Sequence, residues 1–462
     1  MSAELPIAII GAGPVGLAAA AHVVERGLTP LILERGRTVG HAVRHWGHVH
    51  VFSPWSFNID KAARRLLEQR TWIAPDPDAL PTGNALIDDY LAPLAAHPAI
   101  APHLRLGAEV VSVNRAGYDK VMSPGRDEAP FRLRWRDRDG RDHEALARAV
   151  IDASGTWFTP NPLGVDGLAV RGERAVADRI AYGIPDVAGT AAATYAGKRV
   201  LVVGSGHSAI NVVLDLLALQ ESAPETKVTW AVRRDRIDRL LGGGLNDQLP
   251  ARGALGLAAK KAIADGRLAM LAPYAAEQIK TDGAGLKVTG RLGGQPHELT
   301  VDRIVVATGF RPDLSPFSEL RLSVDPIMEA PPALAPLIDP NLHSCGTVPP
   351  HGVVELTHPE AGFYIVGSKS YGRAPTFLMA TGYEQVRSVV AEIAGDREAA
   401  RNVQLALPET GVCSATPRAA AAEDAAASGC CGGPPKVRQD ACCAVDEAAK
   451  DAGKGGCGSQ AA

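Results

Sequence analysis

Cysteine is absent from the first 344 of the 462 residues, and five of the seven cysteines lie between positions 430 and 457. A disulfide framework of the kind that holds a secreted fold together is excluded, because most of the chain has nothing to bridge. The sequence also has no excess of charge, with 48 basic and 51 acidic residues. This balance gives no electrostatic reason to expect a nucleic acid or a charged membrane as partner.

Long hydrophobic runs are missing as well. The most apolar stretches, Val15–Val24 and Val212–Leu219, are shorter than the about 20 apolar residues that cross a bilayer. The N terminus has no basic segment followed by a hydrophobic run and a small-residue cleavage site. We therefore expect a cytoplasmic protein with no membrane partner. Its length predicts two or three domains of about 100 to 200 residues each.

A nucleotide-binding unit opens the chain. The apolar strand Ile7–Ile10 leads into a G-x-G-x-x-G loop, which is followed by a helix and by a second strand that ends in Glu34. Gly11 permits the tight turn, Gly13 lets backbone amides approach a pyrophosphate, and Gly16 lets the helix pack closely on the strand. The pyrophosphate would lie at the positive N terminus of the helix. Glu34 can accept hydrogen bonds from both ribose hydroxyls.

A second unit of the same design occupies residues 200–232. Its loop contributes three candidate nucleotide-binding residues, Gly204, Gly206 and Ser208. Its second strand ends in Arg233 and Arg234 rather than in an acidic residue. Two guanidinium groups suit a 2′-phosphate through bidentate hydrogen bonds, which favours NADPH over NADH. The alternative is that these arginines are only solvated, because further arginines follow in the same basic run.

Two nucleotide units in one chain predict a flavin and a nicotinamide, and hence an α/β fold with two Rossmann-like dinucleotide-binding domains for FAD and NADPH. The segments Val150–Gly155 and Ile304–Gly309 each end in a hydroxyl residue and a glycine, as expected where the chain crosses between the domains close to a cofactor. A strand at 362–367 is expected to return to the first domain, before a helix from about residue 376 to 393. The predicted domain ranges are 1–155 and 309–407 for FAD and 195–308 for NADPH. The remaining members of the predicted cofactor-binding set are Arg35, Trp46, Thr308, Gly309 and Gly367.

The composition changes sharply near the C terminus. Residues 414–462 contain no leucine, isoleucine or aromatic residue, so we predict that they form a disordered tail. The tail holds Cys430, Cys431, Cys442, Cys443 and Cys457. Neighbouring thiolates suit a soft ion such as arsenic(III), and a flexible tether would raise the concentration of a captured metalloid near the active site. The alternatives are a low-complexity extension and nonspecific binding of zinc or copper. Cys345 and Cys413 either lie near the substrate or are simply buried.

Together these motifs resemble the two-dinucleotide-binding-domain flavoproteins, and specifically the flavin-dependent monooxygenase-like proteins encoded in arsenic resistance gene islands. The segments that carry the resemblance are Trp46–Trp55, Asp152–Trp157 with Pro160–Gly164, Gly204–Ser208, Lys369–Pro375, and Leu407–Cys413 with the cysteine tail. The resemblance implies that NADPH, FAD and molecular oxygen act together to oxidise a small soft nucleophile, such as arsenite or an organoarsenical.

Two departures from related families bear on this reading. Flavin monooxygenases carry an F-x-G-x-x-x-H-x-x-x-(W/Y) segment before the second nucleotide loop, whereas residues 158–203 contain no histidine. Pyridine nucleotide disulfide reductases carry a C-x4-C pair after the first nucleotide unit, which the cysteine-free residues 1–344 exclude. A reductase that acts on a thiol-bound metalloid or a partner protein stays open, as does a metalloid-binding protein.

The candidate catalytic residues come from two segments. His48 and Asn58 lie in the loop after the first nucleotide unit, and Lys369 and Tyr371 follow the returning strand. An amide or imidazole donor could stabilise the oxygenated cofactor. The alternative is that the histidines of this loop only pack or face solvent. A metal site among them is not expected, because their spacing matches no ligand template and no nearby cysteine or carboxylate completes a set.

Overall fold

The structure is a computed structural model that describes residues 5–234, 250–342, 348–375 and 377–405. The predicted tail at 414–462, with its five cysteines, lies outside the described residues, as do Cys345 and Cys413. Among the described helices, none has the length and apolar character needed to cross a membrane.

Strands are distributed along the whole of the described chain. They are β1 (Ile7–Ile10), β2 (Pro30–Glu34), β3 (Leu104–Leu106), β4 (Glu109–Arg115), β5 (Phe131–Arg136), β6 (Asp142–Ala147), β7 (Ala149–Asp152), β8 (Ile180–Tyr182), β9 (Arg199–Val203), β10 (Lys227–Ala231), β11 (Ala269–Leu271), β12 (Tyr274–Asp282), β13 (Gly285–Leu292), β14 (Gln295–Val301), β15 (Arg303–Val306) and β16 (Phe363–Ile365).

Helices occur between several of these strands and after the last one. The α-helices are α1 (Pro14–Glu25), α2 (His41–Arg44), α3 (Trp55–Asn58), α4 (Lys61–Glu68), α5 (Gly83–Ala85), α6 (Ala92–Ala95), α7 (Ala192–Tyr195), α8 (His207–Ser222), α9 (Pro250–Ala264), α10 (Ala335–Ile338), α11 (Met379–Ile393) and α12 (Arg397–Arg401). One π-helix spans Leu86–Leu91, and 3-10 helices span Ala101–His103, Glu173–Arg179, Ser315–Phe317 and Gly367–Tyr371.

Two five-stranded parallel sheets form the frame of the molecule. The first sheet has the order β16, β7, β1, β2, β3, and the second has the order β11, β10, β9, β15, β8. All four residues of β1 are buried, as expected for a short apolar strand covered on both faces. Each sheet is built around a strand–loop–helix unit, with α1 following β1 and α8 following β9. The predicted α/β class with two Rossmann-like units is confirmed.

Two smaller antiparallel sheets, β4–β5–β6 and β12–β13–β14, accompany the parallel ones. The alternation of apolar and basic residues over 131–136 predicts a half-exposed strand. In the structure these residues form β5, with the apolar Phe131 and Leu133 buried. The sequence also predicts a hairpin formed by residues 285–289 and 297–301, and these residues lie in the paired strands β13 and β14. The helix predicted from about residue 376 begins at Met379. The second parallel sheet includes β8, which lies before residue 195, the predicted start of the NADPH domain.

A loop of the first domain packs against the hydrophobic core of the second. Trp46 and Val49, which follow α2, contact the cluster that includes Val202, Ile210 and Trp230. Trp46 also contacts the core under the first sheet. The space between the two glycine loops is therefore walled by both domains.

Candidate active site

The three glycines of the first loop perform three different tasks. Gly11 has a φ of +100°, and a Cβ there would come within 2.8 Å of the carbonyl oxygen of Ala153. A Cβ on Gly16 would overlap the carbonyl oxygen of Gly11. A Cβ on Gly13 would meet no heavy atom within 4 Å, and Gly13 lines a cavity. The first and third glycines serve packing, whereas the second leaves room for a ligand at the N terminus of α1.

The carboxylate of Glu34 is held in place at the end of β2. One oxygen accepts a 2.7 Å hydrogen bond from the backbone N–H of Ala12, and the other accepts a 2.6 Å bond from that of Gly36. Glu34 is buried and contributes to the cavity wall. A carboxylate can accept about four hydrogen bonds, so this one can still accept from ribose hydroxyls. Together with the open space at Gly13, these residues fit a dinucleotide.

The cavity has a volume of about 820 Å³, which is within the usual range for small-molecule sites. It extends from the first glycine loop and Glu34 to the first turns of α8, where His207, Ser208 and Asn211 line it. Single residues of several loops complete the wall. They include Arg35, Trp46, His50, Phe52, Ser154, Trp157, Phe158, Phe317, Gly367, Lys369, Phe377 and Met379. One cavity therefore reaches both nucleotide units.

Lys369 places a buried positive charge in the cavity wall. Its Nζ lies 2.7 Å from Oδ2 of Asp152 and 3.1 Å from Oγ of Ser154. Both members of the ion pair are buried, with side-chain exposures of 3% and 0%. Nζ also lies 4.8 Å from the ring centroid of Phe317, within the range of a cation–π contact. The lysine is fixed at the end of β7, beside the segment that connects the two domains.

A second charged pair lies near the end of β2. Arg35 is 3.0 Å from the Glu109 carboxylate, and its guanidinium lies 4.4 Å from the ring centroid of Phe158. Asp313 is close to both cations of the cavity. Burial acts to raise the pKa of Asp313, but hydrogen bonds from Ser315 and the charges of Lys369 and Arg35 outweigh it and hold that pKa below its ordinary value. The charged groups of the cavity thus cluster around Arg35 and Lys369.

The other three catalytic candidates are not among the residues that form the described cavity wall. Asn58 is fully buried, and its amide donates to the carbonyl oxygens of Ser53 (2.6 Å) and Pro54 (3.0 Å). Its Oδ1 accepts a bond from Ser53 Oγ at 3.0 Å. Asn58 therefore fixes the conformation of the loop that precedes α3, and Ser53 of that loop lines the cavity.

Tyr371 supports the wall from behind. It is 3% exposed, and its ring packs edge-on against that of Phe377, with 5.0 Å between the centroids. Burial raises the pKa of the Tyr371 hydroxyl well above its ordinary value. The tyrosine is therefore neutral, and its contact with Phe377 positions a ring that faces the cavity.

His48 lies between the two domains. Its Nε2 is buried and has no hydrogen-bond partner among the described residues. The imidazole is close enough to Asp186 and Asp215 to act on both carboxyl groups. Burial raises the pKa of Asp215, and His48 opposes that rise without cancelling it. His48 thus lies near α8 of the second domain rather than on the cavity surface.

The second glycine loop has the same layout as the first. Gly204 has a φ of +141° and packs against the Ala307 carbonyl, whereas a Cβ on Gly206 would meet no heavy atom within 4 Å. Ser208 lines the cavity one residue after the start of α8. Arg233 and Arg234 follow β10 and are exposed. These positions leave a ligand room at α8 and leave the two guanidinium groups accessible.

The remaining predicted cofactor residues lie at the crossings between domains. Thr308 Oγ1 is 3.2 Å from the Asn161 carbonyl oxygen, to which it donates, and Gly309 has a φ of +91°. The N–H of Gly367 donates to Gln385 Oε1 at 2.8 Å. Gly367 itself lines the cavity. These contacts hold the crossing segments next to the cavity.

Sequence reasoning missed the aromatic side chains that close the cavity. His41 stacks on Phe158, with 5.5 Å between ring centroids, and Phe52 contacts His207 of the second domain at 5.2 Å. The Phe52 and His207 rings meet across the domain boundary. Phe158 lies three residues after Gly155, the end of the crossing segment, and this position was a usable signal. The partner of Phe52, His207, lies far away in the sequence, so the local pattern gave no signal for that contact.

Known proteins resemble this chain in sequence and in fold. It is 30% identical over 219 residues to the indole-3-pyruvate monooxygenase YUCCA1 of Oryza sativa subsp. japonica, a match that covers 45% of this chain and 44% of the rice protein. It is 26% identical over 324 residues to the ferredoxin–NADP reductase of Salinispora tropica, covering 70% of this chain and 79% of the reductase. The chain thus matches less than half the length of the rice protein.

A solved structure has the same overall fold. The bacillithiol disulfide reductase of Bacillus cereus matches with a TM-score of 0.63 and 18% identity, over 85% of this chain and 99% of the reductase. Residues 5–329 also match the family described as pyridine nucleotide-disulphide oxidoreductase. That match covers more than half of the chain. The protein therefore belongs to the pyridine nucleotide-disulphide oxidoreductase family.

Proposed function

We propose that the protein is an NADPH- and FAD-dependent monooxygenase that oxidises a trivalent arsenical or a similar soft nucleophile. NADPH gives up two electrons and, with a proton from solvent, reduces one atom of dioxygen to water. The other oxygen atom goes to arsenic, which rises from the +3 to the +5 oxidation state. The observation that carries this proposal is the single cavity that joins the two glycine loops, because two dinucleotides bound there can bring their reactive ends together.

The chain's own residues position the cofactors and exclude water. Glu34 would hold a ribose, the N terminus of α1 would face one pyrophosphate, and the N terminus of α8 with Ser208 would face the other. FAD, when bound, supplies the two-electron chemistry that connects NADPH oxidation to dioxygen. The side chains of Phe52 and Trp157 line the cavity and would cover part of the bound cofactors. Lys369, held by Asp152, supplies a fixed positive charge, while Asn58 and Tyr371 keep the wall in position.

The distribution of cysteine favours oxygen transfer over disulfide chemistry. Residues 1–344 contain no cysteine, so the loops around the first glycine motif cannot supply a redox disulfide. The monooxygenase name of the rice relative supports the same choice. We place the protein in arsenic metabolism on the grounds of its motifs, with the cysteine tail as an arsenic(III)-capturing segment.

A reductase is the second candidate function. The ferredoxin–NADP reductase relative aligns with a longer part of the chain than the monooxygenase does, and residues 158–203 lack the monooxygenase histidine. In this alternative, electrons pass from NADPH through the flavin to a thiol-bound metalloid or to a partner protein. Oxygen is then not required.

Oxygen consumption by the purified full-length holoprotein distinguishes the two functions. The experiment follows NADPH oxidation and oxygen uptake with arsenite, with a methylated arsenite, and with an amine and a sulfide for comparison. A monooxygenase consumes one molecule of dioxygen per NADPH and forms a pentavalent product. Its turnover stops when oxygen is removed. Continued NADPH turnover without oxygen favours the reductase. If no arsenical changes either rate, the arsenical assignment is wrong.

A further inference from the structure

The two glycine loops lead into helices that begin with different residues. Gly13 and Gly206 have equally open surroundings, because a Cβ on either would meet no heavy atom within 4 Å. The helix after Gly13 begins with Pro14, whereas the helix after Gly206 begins with His207. An imidazole has an N–H donor and gains a positive charge when it is protonated. The second loop therefore carries a polar group that Pro14, its counterpart in the first loop, cannot supply.

His207 is the chargeable side chain that the second domain contributes to the described cavity wall. Between residues 160 and 308, the residues that line the cavity are Ile184, His207, Ser208 and Asn211. Among these four, only the imidazole can carry a charge near neutral pH. An anion at this part of the described wall would therefore find its oppositely charged side chain from the second domain in His207.

The ring of Phe52, from the first domain, contacts the ring of His207. The two ring centroids are 5.2 Å apart, and the ring planes make an angle of 65°. Phe52 belongs to the loop whose Trp46 and Val49 pack on the core of the second domain, so this loop is fixed against that domain. The contact restricts the rotamers of the imidazole before a ligand binds, which lowers the entropy cost of binding.

The start of α8 favours an anion. The first backbone N–H groups of a helix have no partner within the helix, and they lie at the positive end of its dipole. The N-cap of α8 is Gly206, which has no side chain to cap these groups. His207 and Ser208, the first two residues of the helix, both line the cavity. A protonated imidazole here would add a charge-assisted hydrogen bond to a bound phosphate, which is roughly twice as strong as a neutral one.

We infer that the His207 imidazole is a ligand of the NADPH pyrophosphate and that Phe52 of the first domain positions it. This inference rests on the proposed function, in which NADPH binds at the second glycine loop. The bound pyrophosphate favours the protonated imidazole, so binding takes up protons from solvent at a pH above the titration range of free histidine, near about 6.5. Affinity then increases as the pH falls from about 8.5 to about 6. The affinity for NADPH thus depends on a side chain of the FAD-binding domain.

Other ionisable groups also contribute to the pH dependence of binding. On the elements around His207 they are His48, His50, Asp186, Asp215, Arg233 and Arg234. The 2′-phosphate of the nucleotide titrates near about pH 6 as well. All of these groups are the same in wild type and in variants at position 207. The difference between such proteins therefore reports on His207.

Isothermal titration calorimetry on the full-length holoprotein tests the inference. NADP+ and 2′-AMP are titrated into wild type and into His207→Gln, whose amide keeps a neutral donor. The variant should raise the Kd of NADP+ about tenfold or more at about pH 6 and less than about threefold at about pH 8.5. The Kd of 2′-AMP, which has the 2′-phosphate but no pyrophosphate, should stay unchanged. An equal loss at both pH values, or an equal loss for 2′-AMP, refutes the inference.

Proton uptake gives a direct second readout. Titrations with NADP+ in two buffers of different ionisation enthalpy measure the protons that binding takes up. At about pH 7.5, wild type should take up more protons than His207→Gln does. Equal uptake by the two proteins contradicts the role of the imidazole.

A gain of affinity is expected from His207→Arg. Arginine stays charged at every pH used and forms bidentate bonds to phosphate. At about pH 8.5 this variant should bind NADP+ about threefold or more tightly than wild type, an effect that a damaged fold cannot produce. Binding no tighter than that of His207→Gln refutes the charge argument.

A double-mutant cycle tests the positioning role of Phe52. Phe52→Leu removes the ring contact and keeps an apolar side chain. It should raise the Kd of NADP+ about threefold or more in the wild-type background and leave it unchanged in the His207→Gln background. Proton uptake should also fall in Phe52→Leu, which a merely structural role would not cause. The same effect in both backgrounds shows that Phe52 does not act through His207.

Binding and turnover together separate failure of the inference from failure of the proposed function. If wild type binds NADP+ with the expected proton uptake but oxidises no arsenical or sulfide, the monooxygenase proposal fails and the inference stands. If arsenicals are oxidised but wild type and His207→Gln bind NADP+ alike, the inference alone fails. If NADP+ does not bind to wild type, the placement of NADPH and the inference are both refuted.

Discussion

Replacing Gly13 by alanine should weaken FAD binding without weakening the fold. Gly13 has φ −81° and ψ −173°, an extended conformation that alanine adopts without strain. The added methyl group meets no protein atom within 4 Å and projects into space beside the cavity. We therefore expect the free energy of unfolding of the apoprotein to change by no more than about 1 kcal/mol.

The same methyl group would occupy the space where a pyrophosphate approaches the start of α1. Overfilling a packed contact costs about 1–3 kcal/mol. That penalty corresponds to an increase of about 5- to 150-fold in the Kd for FAD. Titration of the apoprotein with FAD, followed by quenching of flavin fluorescence, measures the Kd, and urea unfolding of the apoprotein measures stability.

Two alanine variants serve as controls for Gly13→Ala. In Gly16→Ala the methyl group overlaps the Gly11 carbonyl oxygen, so the fold itself should lose about 1–3 kcal/mol. In Gly206→Ala the methyl group is free of protein contacts at the second loop and should weaken NADPH binding while leaving FAD binding unchanged. An unchanged Kd for FAD in Gly13→Ala would refute the assignment of the first loop to the FAD pyrophosphate.

Three further predictions concern charges and the tail. Lys369→Met leaves a buried carboxylate unpaired and should cost about 3–5 kcal/mol of unfolding free energy. Adding Asp152→Asn should recover part of that loss in urea unfolding, and a double variant that loses the sum of both single effects would contradict the ion pair. Replacing Arg233 and Arg234 by alanine should raise KM for NADPH about tenfold or more and leave KM for NADH unchanged. Equal effects on both nucleotides would show that the two arginines do not bind the 2′-phosphate. Truncation before Ser414 should preserve NADPH turnover but abolish tight arsenite binding in equilibrium dialysis, and undiminished binding would exclude the tail as the metalloid-capturing segment.

The parts of the site that sequence predicts well are those encoded over a few neighbouring residues. The strand Ile7–Ile10, the first glycine loop and the acidic end at Glu34 form one continuous unit, so pattern and function could be assigned together. The hairpin of β13 and β14 is equally local. In these elements, the residues that determine the structure are also sequence neighbours.

The predicted catalytic set was harder to place, because its members depend on contacts distant in sequence. Lys369 pairs with Asp152, more than 200 residues earlier, and the pair places the lysine in the cavity wall. Asn58 lies in the expected loop, but its amide bonds back to Ser53 and Pro54. Nothing in the local pattern shows whether a polar side chain faces a cavity or secures a turn.

The contact of Trp46 and Val49 with the core of the second domain has an evolutionary consequence. Recombination could exchange either nucleotide-binding domain as a unit. The cavity, however, is lined by residues of both domains, so such an exchange would replace only part of its wall. A chimera with a second domain from another lineage would receive a new Ile184, His207 and Asn211 opposite an old loop. Substrate preference would then change even if every FAD-binding residue were retained, so selection must act on the loop and the second domain as one unit.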